Sequence, residues 1–299
     1  MKEALLEQFL HYLATERQLS PHTLDNYSRD LNKLLDFTEQ QSLTEWSSVE
    51  VKHIRQYVAQ LHRKDLAGSS IQRSLSAIRS FYNFLSRESV VEQNPAAAVQ
   101  APKSTRKLPS TLDVDQMGTL LDVPVTDNIS ARDAAMMELM YSSGLRVSEL
   151  VAIDLYSLDL SEGSLRVVGK GRKERELPIG RKALEALDRW LDVRHELASY
   201  DENALFVSKR GSRITVRSVQ QRMDYWGKYL GVNGKVHPHR LRHSFASHIL
   251  ESSSDLRAVQ ELLGHEDIST TQIYTHLDFQ HLMKVYEGAH PRARKKSQK

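Results

Sequence analysis

The chain has 299 residues, of which 41 are Lys or Arg and 38 are Asp or Glu, so its formal net charge is only +3. It contains no cysteine, which excludes disulfide frameworks, thiolate metal sites and cysteine nucleophiles. No apolar run approaches the roughly 18 residues of a membrane-spanning helix, and acids interrupt the leucines of the first segment. We therefore expect a cytoplasmic protein without a membrane partner, and the net charge alone does not indicate nucleic acid.

Residues 1–93 show helical periodicity almost throughout and contain a single glycine, Gly68. Apolar residues at helical spacing outline four helices. The second is opened by Ser20 as an N-cap and by Pro21 at the first helical position, and the fourth begins at Gly68. The pattern predicts a small, all-α first domain over residues 1–93.

The composition changes over residues 94–109, which hold three of the eight prolines and three basic residues but no acid. This composition predicts an extended linker between two domains. Domains joined in this way can lie on opposite sides of a rod-shaped ligand, although a plain hinge explains the composition equally well.

Helical patterns also dominate residues 110–299, which we assign to a second domain. Two β-branched segments, residues 165–168 and 174–179, flank a glycine-containing turn and predict an antiparallel hairpin. Pro178 makes the second strand either an edge strand or one that ends there. A helix is expected over residues 181–197. The fold class is therefore mainly α, with an α-helical first domain and a mixed α+β second domain that contains a small antiparallel sheet.

Charge is strongly segregated in the second domain. Residues 111–162 hold ten acids and two bases, whereas residues 209–243 hold nine bases and one acid. A solvated helix face normally mixes both signs, so the basic stretch indicates contact with a phosphate backbone. Arg213, Arg217 and Arg222 are the residues that we expect to bind DNA.

The densest group of reactive side chains is HPHRLRHSFASH, residues 237–248. If a helix begins near Pro238, then His239 and Arg242 share one face and can approach the same anion. The spacing of His239 and His243 also allows a metal site. That alternative is weak, because the nearby arginines would repel a cation and the adjacent glutamate of zinc-protease motifs is missing.

Two further segments carry candidate residues. In SGLRVSEL, Gly144 is expected to end a helix and to leave Arg146 at a turn, where it could also simply neutralise Glu149 or Asp154. In STTQIYTH, Tyr274 lies near a helix end, where a tyrosine is often a half-buried core residue.

As a set, these arginines and histidines, a hairpin lysine and a tyrosine suit attack on a phosphodiester. Guanidinium groups bind the non-bridging oxygens and stabilise the charge that develops in the transition state. Such chemistry needs no metal and no cofactor. It also needs no ATP if the bond energy is kept in a phosphotyrosine link, and the chain lacks a GxxxxGK[ST] loop.

Five motifs, SGLRVSEL, GKGRKER, HPHRLRHSFASH, LLGH and STTQIYTH, resemble in order and spacing the tyrosine recombinase (phage-integrase-like) family, and within it the bacterial Xer group. The resemblance implies a SAM-like, four-helix core-binding domain followed by a catalytic domain. It also implies a nucleophile, Tyr274, and an acid for the leaving 5′-hydroxyl, Lys170, with Lys173 as the alternative. The remaining implied catalytic residues are the clamp Arg146 and Arg242, the proton acceptor or phosphate donor His239, and the phosphate ligand His265.

The same resemblance implies the biological setting. It predicts action on double-stranded DNA at a dif-like site, in a heterotetramer of two such subunits and two XerD-like subunits, under the control of an FtsK-like DNA translocase. Chromosome and plasmid dimers would be resolved in the nucleoid before cell division. The segment from about Phe279 would pack on a neighbouring subunit, or would cap its own domain. An integrase of a mobile element and a catalytically silent DNA-binding protein remain the alternatives.

Overall fold

The computed structural model describes residues 2–102, 111–169, 174–253, 262, 283 and 285–293. The chain divides into two compact units, residues 1–107 and 108–299. Within the described ranges, no helix is both long enough and apolar enough to cross a membrane.

The first unit contains the four predicted helices. Ser20 caps the second helix as expected, because its side chain accepts a hydrogen bond from the backbone N–H of Thr23. A short 3₁₀ turn, Trp46–Ser48, lies between the second and third helices. The helices are α1 (Lys2–Thr15), α2 (Pro21–Gln40), α3 (Val51–Arg63) and α4 (Gly68–Arg87).

Aromatic residues form the centre of this unit. The rings of Phe9 and Trp46 lie 5.3 and 5.0 Å from the ring of Phe81, and all three side chains are buried. The indole N–H of Trp46 donates to the carbonyl oxygen of Lys2 at 3.0 Å, which ties the 3₁₀ turn to the start of α1. The unit therefore has a core of its own.

The packed part of the first unit extends beyond the predicted boundary at residue 93. Ala96 and Val99 are buried in its core, and the Arg79 guanidinium of α4 donates to both of their carbonyl oxygens. Asn94 donates to the carbonyl oxygen of Arg79 at 3.0 Å. The start of the segment that we expected to be an extended linker is thus held on the bundle, because two of its apolar side chains find a place in the core.

The second unit is built around α6, whose residues 130–143 are all buried. This helix contacts α5, α7, α8, α9, α10 and the last strand of the sheet. The helices are α5 (Val114–Leu121), α6 (Asn128–Ser143), α7 (Val147–Ala152), α8 (Arg181–Arg194), α9 (Val216–Tyr229) and α10 (Pro238–Ser253).

A three-stranded antiparallel sheet completes the second unit, in the order β1 (Leu158–Asp159), β2 (Ser164–Val168) and β3 (Glu174–Pro178). The predicted hairpin is confirmed as β2 and β3, with Leu165 opposite Leu177. Strand β1 was not predicted, since two residues are too few to show an alternating pattern. The predicted fold class, mainly α with a small antiparallel sheet, is confirmed.

The described part of the C-terminal segment, residues 285–293, packs on its own unit. Tyr286 and Ser142 of α6 share a hydrogen bond of 2.7 Å between their hydroxyl groups, and Arg292 donates to the buried carboxylate of Glu138. His290 is fully buried and its ring stacks on that of Tyr286. This segment therefore caps its own domain, which was one of the two expected arrangements, while residues 279–282 lie outside the described residues.

Candidate active site

The candidate site is built on the turn that joins α6 to α7. Helix α6 ends at Ser143, and Gly144 follows with a φ of +59°, a conformation that glycine adopts without strain. A Cβ atom at Gly144 would lie 2.5 Å from the ring of Phe245 on α10. Glycine is needed here both for the backbone conformation and for the close approach of α10.

Arg146 is the N-cap residue of α7, two positions after this glycine. Its backbone N–H donates to Glu149 Oε2 at 2.8 Å, and its Nη1 donates to Glu149 Oε1 at 2.9 Å. The pairing with Glu149, which we considered as a structural alternative, is thus present, whereas Asp154 pairs with Arg213. The Arg146 side chain is still 36% exposed, so the ion pair leaves it accessible to a ligand.

Arg242 lies on α10, which begins at Pro238 as the sequence predicted. Its Nη1 donates to the carbonyl oxygen of Gly144, so both arginines are held by the same short turn. Burial, followed by the positive charge of Arg146, lowers the pKa of Arg242 to about 10. Two guanidinium groups are therefore close enough to repel one another, an arrangement that a bound anion would relieve.

A third arginine completes this cluster and was missed by the sequence analysis. Arg175 of β3 is buried, and its Nη1 and Nη2 donate to Glu149 Oε1 and Oε2 at 2.9 and 3.0 Å. Burial by itself raises the pKa of Glu149, but the hydrogen bonds and charges of Arg175 and Arg146 outweigh this effect and lower it.

The sequence did contain a signal for Arg175. In the alternating pattern of β3, Arg175 and Leu177 are buried, whereas Glu174 and Glu176 are exposed. A basic residue on the inward face of a short strand needs a buried acidic partner. The partner itself could not be predicted, because it lies 26 residues away on another element.

Of the other predicted catalytic residues, the structure describes His239 alone. His239 lies one helical turn before Arg242 on α10, and its side chain is exposed. His248, expected to be a packing residue, is buried and shares a hydrogen bond of 2.8 Å with the hydroxyl of Tyr141. The remaining predicted residues lie outside the described residues, namely Lys170, its alternative Lys173, His265 and Tyr274.

The predicted DNA-binding arginines differ in their surroundings. Arg213 pairs with Asp154, and Arg222 pairs with the fully buried Asp133. Arg217, in the first turn of α9, is exposed to solvent. Arg213 and Arg222 thus have roles in holding the fold, whatever else they contact.

The cluster suits an anionic ligand. The guanidinium groups of Arg146 and Arg175 share one carboxylate, and that of Arg242 is held by the carbonyl oxygen of Gly144, which leaves an excess of positive charge around the 144–146 turn. Guanidinium groups match the geometry of phosphate oxygens, and at a reacting phosphodiester they stabilise the developing charge. Across the described ranges, no group of three or more His, Asp or Glu side chains is placed to hold a metal ion.

Comparison with known proteins assigns both units of the chain to one family. Residues 110–281 match the phage integrase family, and residues 6–89 match the N-terminal SAM-like domain of phage integrases. Tyrosine recombinase XerC of Escherichia coli O127:H6 (strain E2348/69 / EPEC) is 52% identical over 290 residues, which are 97% of each chain.

Solved structures show the same fold. The crystal structure of XerA recombinase is 28% identical, with a TM-score of 0.50 over 97% of this chain and 99% of that chain. XerH site-specific recombinase, bound to a palindromic difH substrate in a post-cleavage complex, is 21% identical, with a TM-score of 0.71 over 91% of this chain and 81% of that chain. The chain therefore belongs to the phage integrase family and is a site-specific, DNA strand-transferring tyrosine recombinase similar to XerC.

Proposed function

We propose that this recombinase cleaves and rejoins double-stranded DNA through a covalent link between Tyr274 and a 3′ phosphate. The hydroxyl oxygen of Tyr274 attacks the scissile phosphorus, and the bond from phosphorus to the 5′ oxygen breaks. Rejoining reverses these steps with the 5′-hydroxyl of another strand. The energy of the phosphodiester bond is kept in the phosphotyrosine, so the reaction requires no ATP.

Each remaining catalytic residue has one task. Arg146 and Arg242 bind the non-bridging oxygens of the scissile phosphate, and His265 donates a hydrogen bond to the same group. Lys170 gives a proton to the leaving 5′ oxygen. His239 either accepts the proton of Tyr274 or donates to the phosphate, and its exposed imidazole is accessible for both tasks.

One observation supports this proposal above the others. Arg242 donates to the carbonyl oxygen of Gly144 while Arg146 follows two residues later, so two elements far apart in sequence bring their guanidinium groups to one turn. Because the ion pair with Glu149 fixes Arg146 before any ligand arrives, the clamp needs little reorganisation when a phosphate binds.

The experiment uses a nicked duplex that carries a recombination site, so that the short strand beyond the cleavage point diffuses away and the covalent adduct accumulates. We expect a protein–DNA band on a denaturing gel for the wild type and none for Tyr274→Phe. Tyr200→Phe is the matched control, because the Tyr200 side chain is fully exposed, and it should form the adduct at the wild-type rate. An adduct that persists in Tyr274→Phe would refute the proposed nucleophile.

The proposal extends to partners. We infer a dif-like chromosomal or plasmid site, at which two copies of this chain act together with two XerD-like subunits to resolve DNA dimers in the nucleoid. An FtsK-like translocase would control strand exchange. The likeness to XerC supports this setting, and complete recombination by this chain in the absence of a second recombinase would contradict it.

A further inference from the structure

The guanidinium group of Arg175 shares the carboxylate of Glu149 with Arg146, one of the two arginines of the proposed clamp. Its side chain is 7% exposed, so it cannot bind DNA directly from this position. Its two terminal nitrogens donate to both oxygens of Glu149, and within the described part of the chain its Nε has no hydrogen-bond partner. A buried donor without a partner is costly, which indicates that the position of this arginine is fixed by something other than its own stability.

The role of Glu149 explains that position. Its two oxygens accept four hydrogen bonds, two from Arg146 and two from Arg175, which fills the acceptor capacity of a carboxylate. A carboxylate held on both sides in this way has one orientation. If Arg175 were absent, Glu149 could rotate and the guanidinium of Arg146 would rotate with it.

Arg175 also helps to fix the position of the start of β3. It is the second residue of β3, which begins at Glu174, directly after residues 170–173, which lie outside the described residues. The pair with Glu149 therefore connects the start of this strand to α7. Lys170 precedes Arg175 by five residues in the sequence, so only a short length of chain separates it from the strand that this ion pair holds.

We propose that Arg175 is a positioning residue for DNA cleavage, which through Glu149 sets the orientation of Arg146 and anchors the strand that follows Lys170 in the sequence. This inference rests on the proposed function, since it takes Arg146 as the phosphate ligand and Lys170 as the proton donor. Arg175 itself touches neither the DNA nor the reacting atoms.

The test compares Arg175→Met with the wild type in single-turnover cleavage of the nicked duplex. A second substrate has sulfur in place of the leaving 5′ oxygen, because a thiolate departs without a proton from a general acid. We expect Arg175→Met to cleave the oxygen substrate about 10- to 100-fold more slowly, and the sulfur substrate with a clearly smaller loss. Affinity for DNA, measured by gel shift, should stay within about twofold.

Arg194→Met is the matched control. Arg194 is as buried as Arg175, at 8% exposure each, and lies in the same unit, but its guanidinium donates to carbonyl oxygens of residues 202, 204 and 205. It should lower the melting temperature as much as Arg175→Met without slowing cleavage by the folded protein. Arg175→Lys, which keeps one charged donor, should recover part of the lost rate.

Two results would overturn the inference, namely cleavage at the wild-type rate in Arg175→Met and equal slowing of cleavage in the Arg194→Met control. Equal losses on the oxygen and sulfur substrates would overturn its second part, the anchoring of the strand that follows Lys170, because a loss through Arg146 alone is the same for both substrates. If Arg175→Met does not fold, the same comparison is made with Arg175→Lys, whose smaller loss should again be relieved by the sulfur substrate. A failure of the proposed function is distinguishable, because then the wild type itself would form no adduct with either substrate.

Discussion

Some arginine residues of the second unit pair with buried carboxylates, whereas others are exposed to solvent. Arg222 donates to Asp133, a fully buried carboxylate that also accepts hydrogen bonds from Arg132 and Trp226. Arg217 lies five residues earlier on α9 and is exposed. An arginine that already neutralises a buried carboxylate contributes less to phosphate binding than an exposed arginine does.

Alanine substitutions should therefore separate binding from stability. Arg217→Ala should weaken binding to all DNA sequences and reduce the slope of log affinity against log salt by about 1, because one phosphate contact is lost. Its melting temperature should not change. Titrations of both proteins at several salt concentrations measure this effect, and an unchanged slope would place Arg217 in solvent or against a protein partner.

Arg222→Ala should behave in the opposite way. Removing one partner of the buried Asp133 costs about 1–3 kcal/mol of folding free energy, since Arg132 and Trp226 remain to bond that carboxylate. Urea denaturation measures this loss. A fully stable Arg222→Ala protein would show that the ion pair does not contribute to the fold.

At the scale of elements, the turn between α6 and α7 connects the fold to the proposed chemistry. Gly144 ends α6, offers its carbonyl oxygen to Arg242 and allows the ring of Phe245 to approach. The turn thereby sets the separation of α6, α7 and α10. A side chain at this position would push α10, and with it Arg242, away from Arg146.

Gly144→Ala should thus be destabilising by about 2–4 kcal/mol, because it combines a left-handed backbone with a steric clash in the core. DNA cleavage by the remaining folded protein should also fall. Gly118→Ala is the control, since no atom of the described residues lies within 4 Å of its Cβ position on α5, and it should stabilise the protein by about 0.5–1 kcal/mol. Equal effects of the two substitutions in urea denaturation would refute this explanation.

The C-terminal segment is an element whose packing depends on an uncharged histidine. His290 Nδ1 accepts a hydrogen bond from the backbone N–H of Arg292, and its Nε2 donates to the carbonyl oxygen of Tyr141. Burial lowers the pKa of His290 to about 3, although the hydrogen bond to Tyr141 opposes this shift. A proton on Nδ1 would leave the backbone N–H of Arg292 without an acceptor.

This arrangement predicts a pH dependence. The unfolded chain takes up a proton at His290 near pH 6.5 and the folded chain does not, so the contribution of His290 to stability is lost as the pH falls below 6.5. Between pH 8 and pH 5 the loss is about 2 kcal/mol. Denaturation of wild type and His290→Gln at both values tests it, and an equal loss in both proteins would exclude His290 as the cause.

The sequence predicts these elements unequally well. The helices of the first unit are recognisable because helical spacing and caps such as Ser20 are local features. Helix α8 ends at Arg194 rather than at Leu197, and β1 is too short to show a pattern. Arg146 and Arg242 are identifiable as candidates, but the carboxylate that Arg146 shares with Arg175 depends on how β3 packs against α7, which no local pattern contains.

At the scale of the whole molecule, the chain consists of two units with separate cores. Each core contains its own large buried aromatic residues, Trp46 in the first unit and Trp190 in the second. A unit with its own core is expected to fold alone. The end of the first unit is defined by Ala96 and Val99, which pack beyond the boundary that composition predicted.

Two fragments test whether the first unit ends at residue 93 or continues past Val99. Residues 1–102 should unfold in one cooperative transition, whereas residues 1–93 should be less stable by about 2–3 kcal/mol, because they lack two buried apolar side chains and the carbonyl oxygens that accept hydrogen bonds from Arg79. Urea denaturation of the two fragments gives the difference. Equal stability of the two fragments would contradict this account and support a domain boundary at residue 93.

The central claim is that the arginine pair at the 144–146 turn serves a tyrosine that becomes covalently bound to DNA. The most direct measurement is to trap the adduct on the nicked duplex, digest it with nuclease and trypsin, and identify the modified peptide by mass spectrometry. We predict that the peptide of residues 258–284 carries a nucleotide attached through its 3′ phosphate to Tyr274. A nucleotide attached to any other residue, or no adduct with the wild-type chain and its partner on their recombination site, would contradict the account.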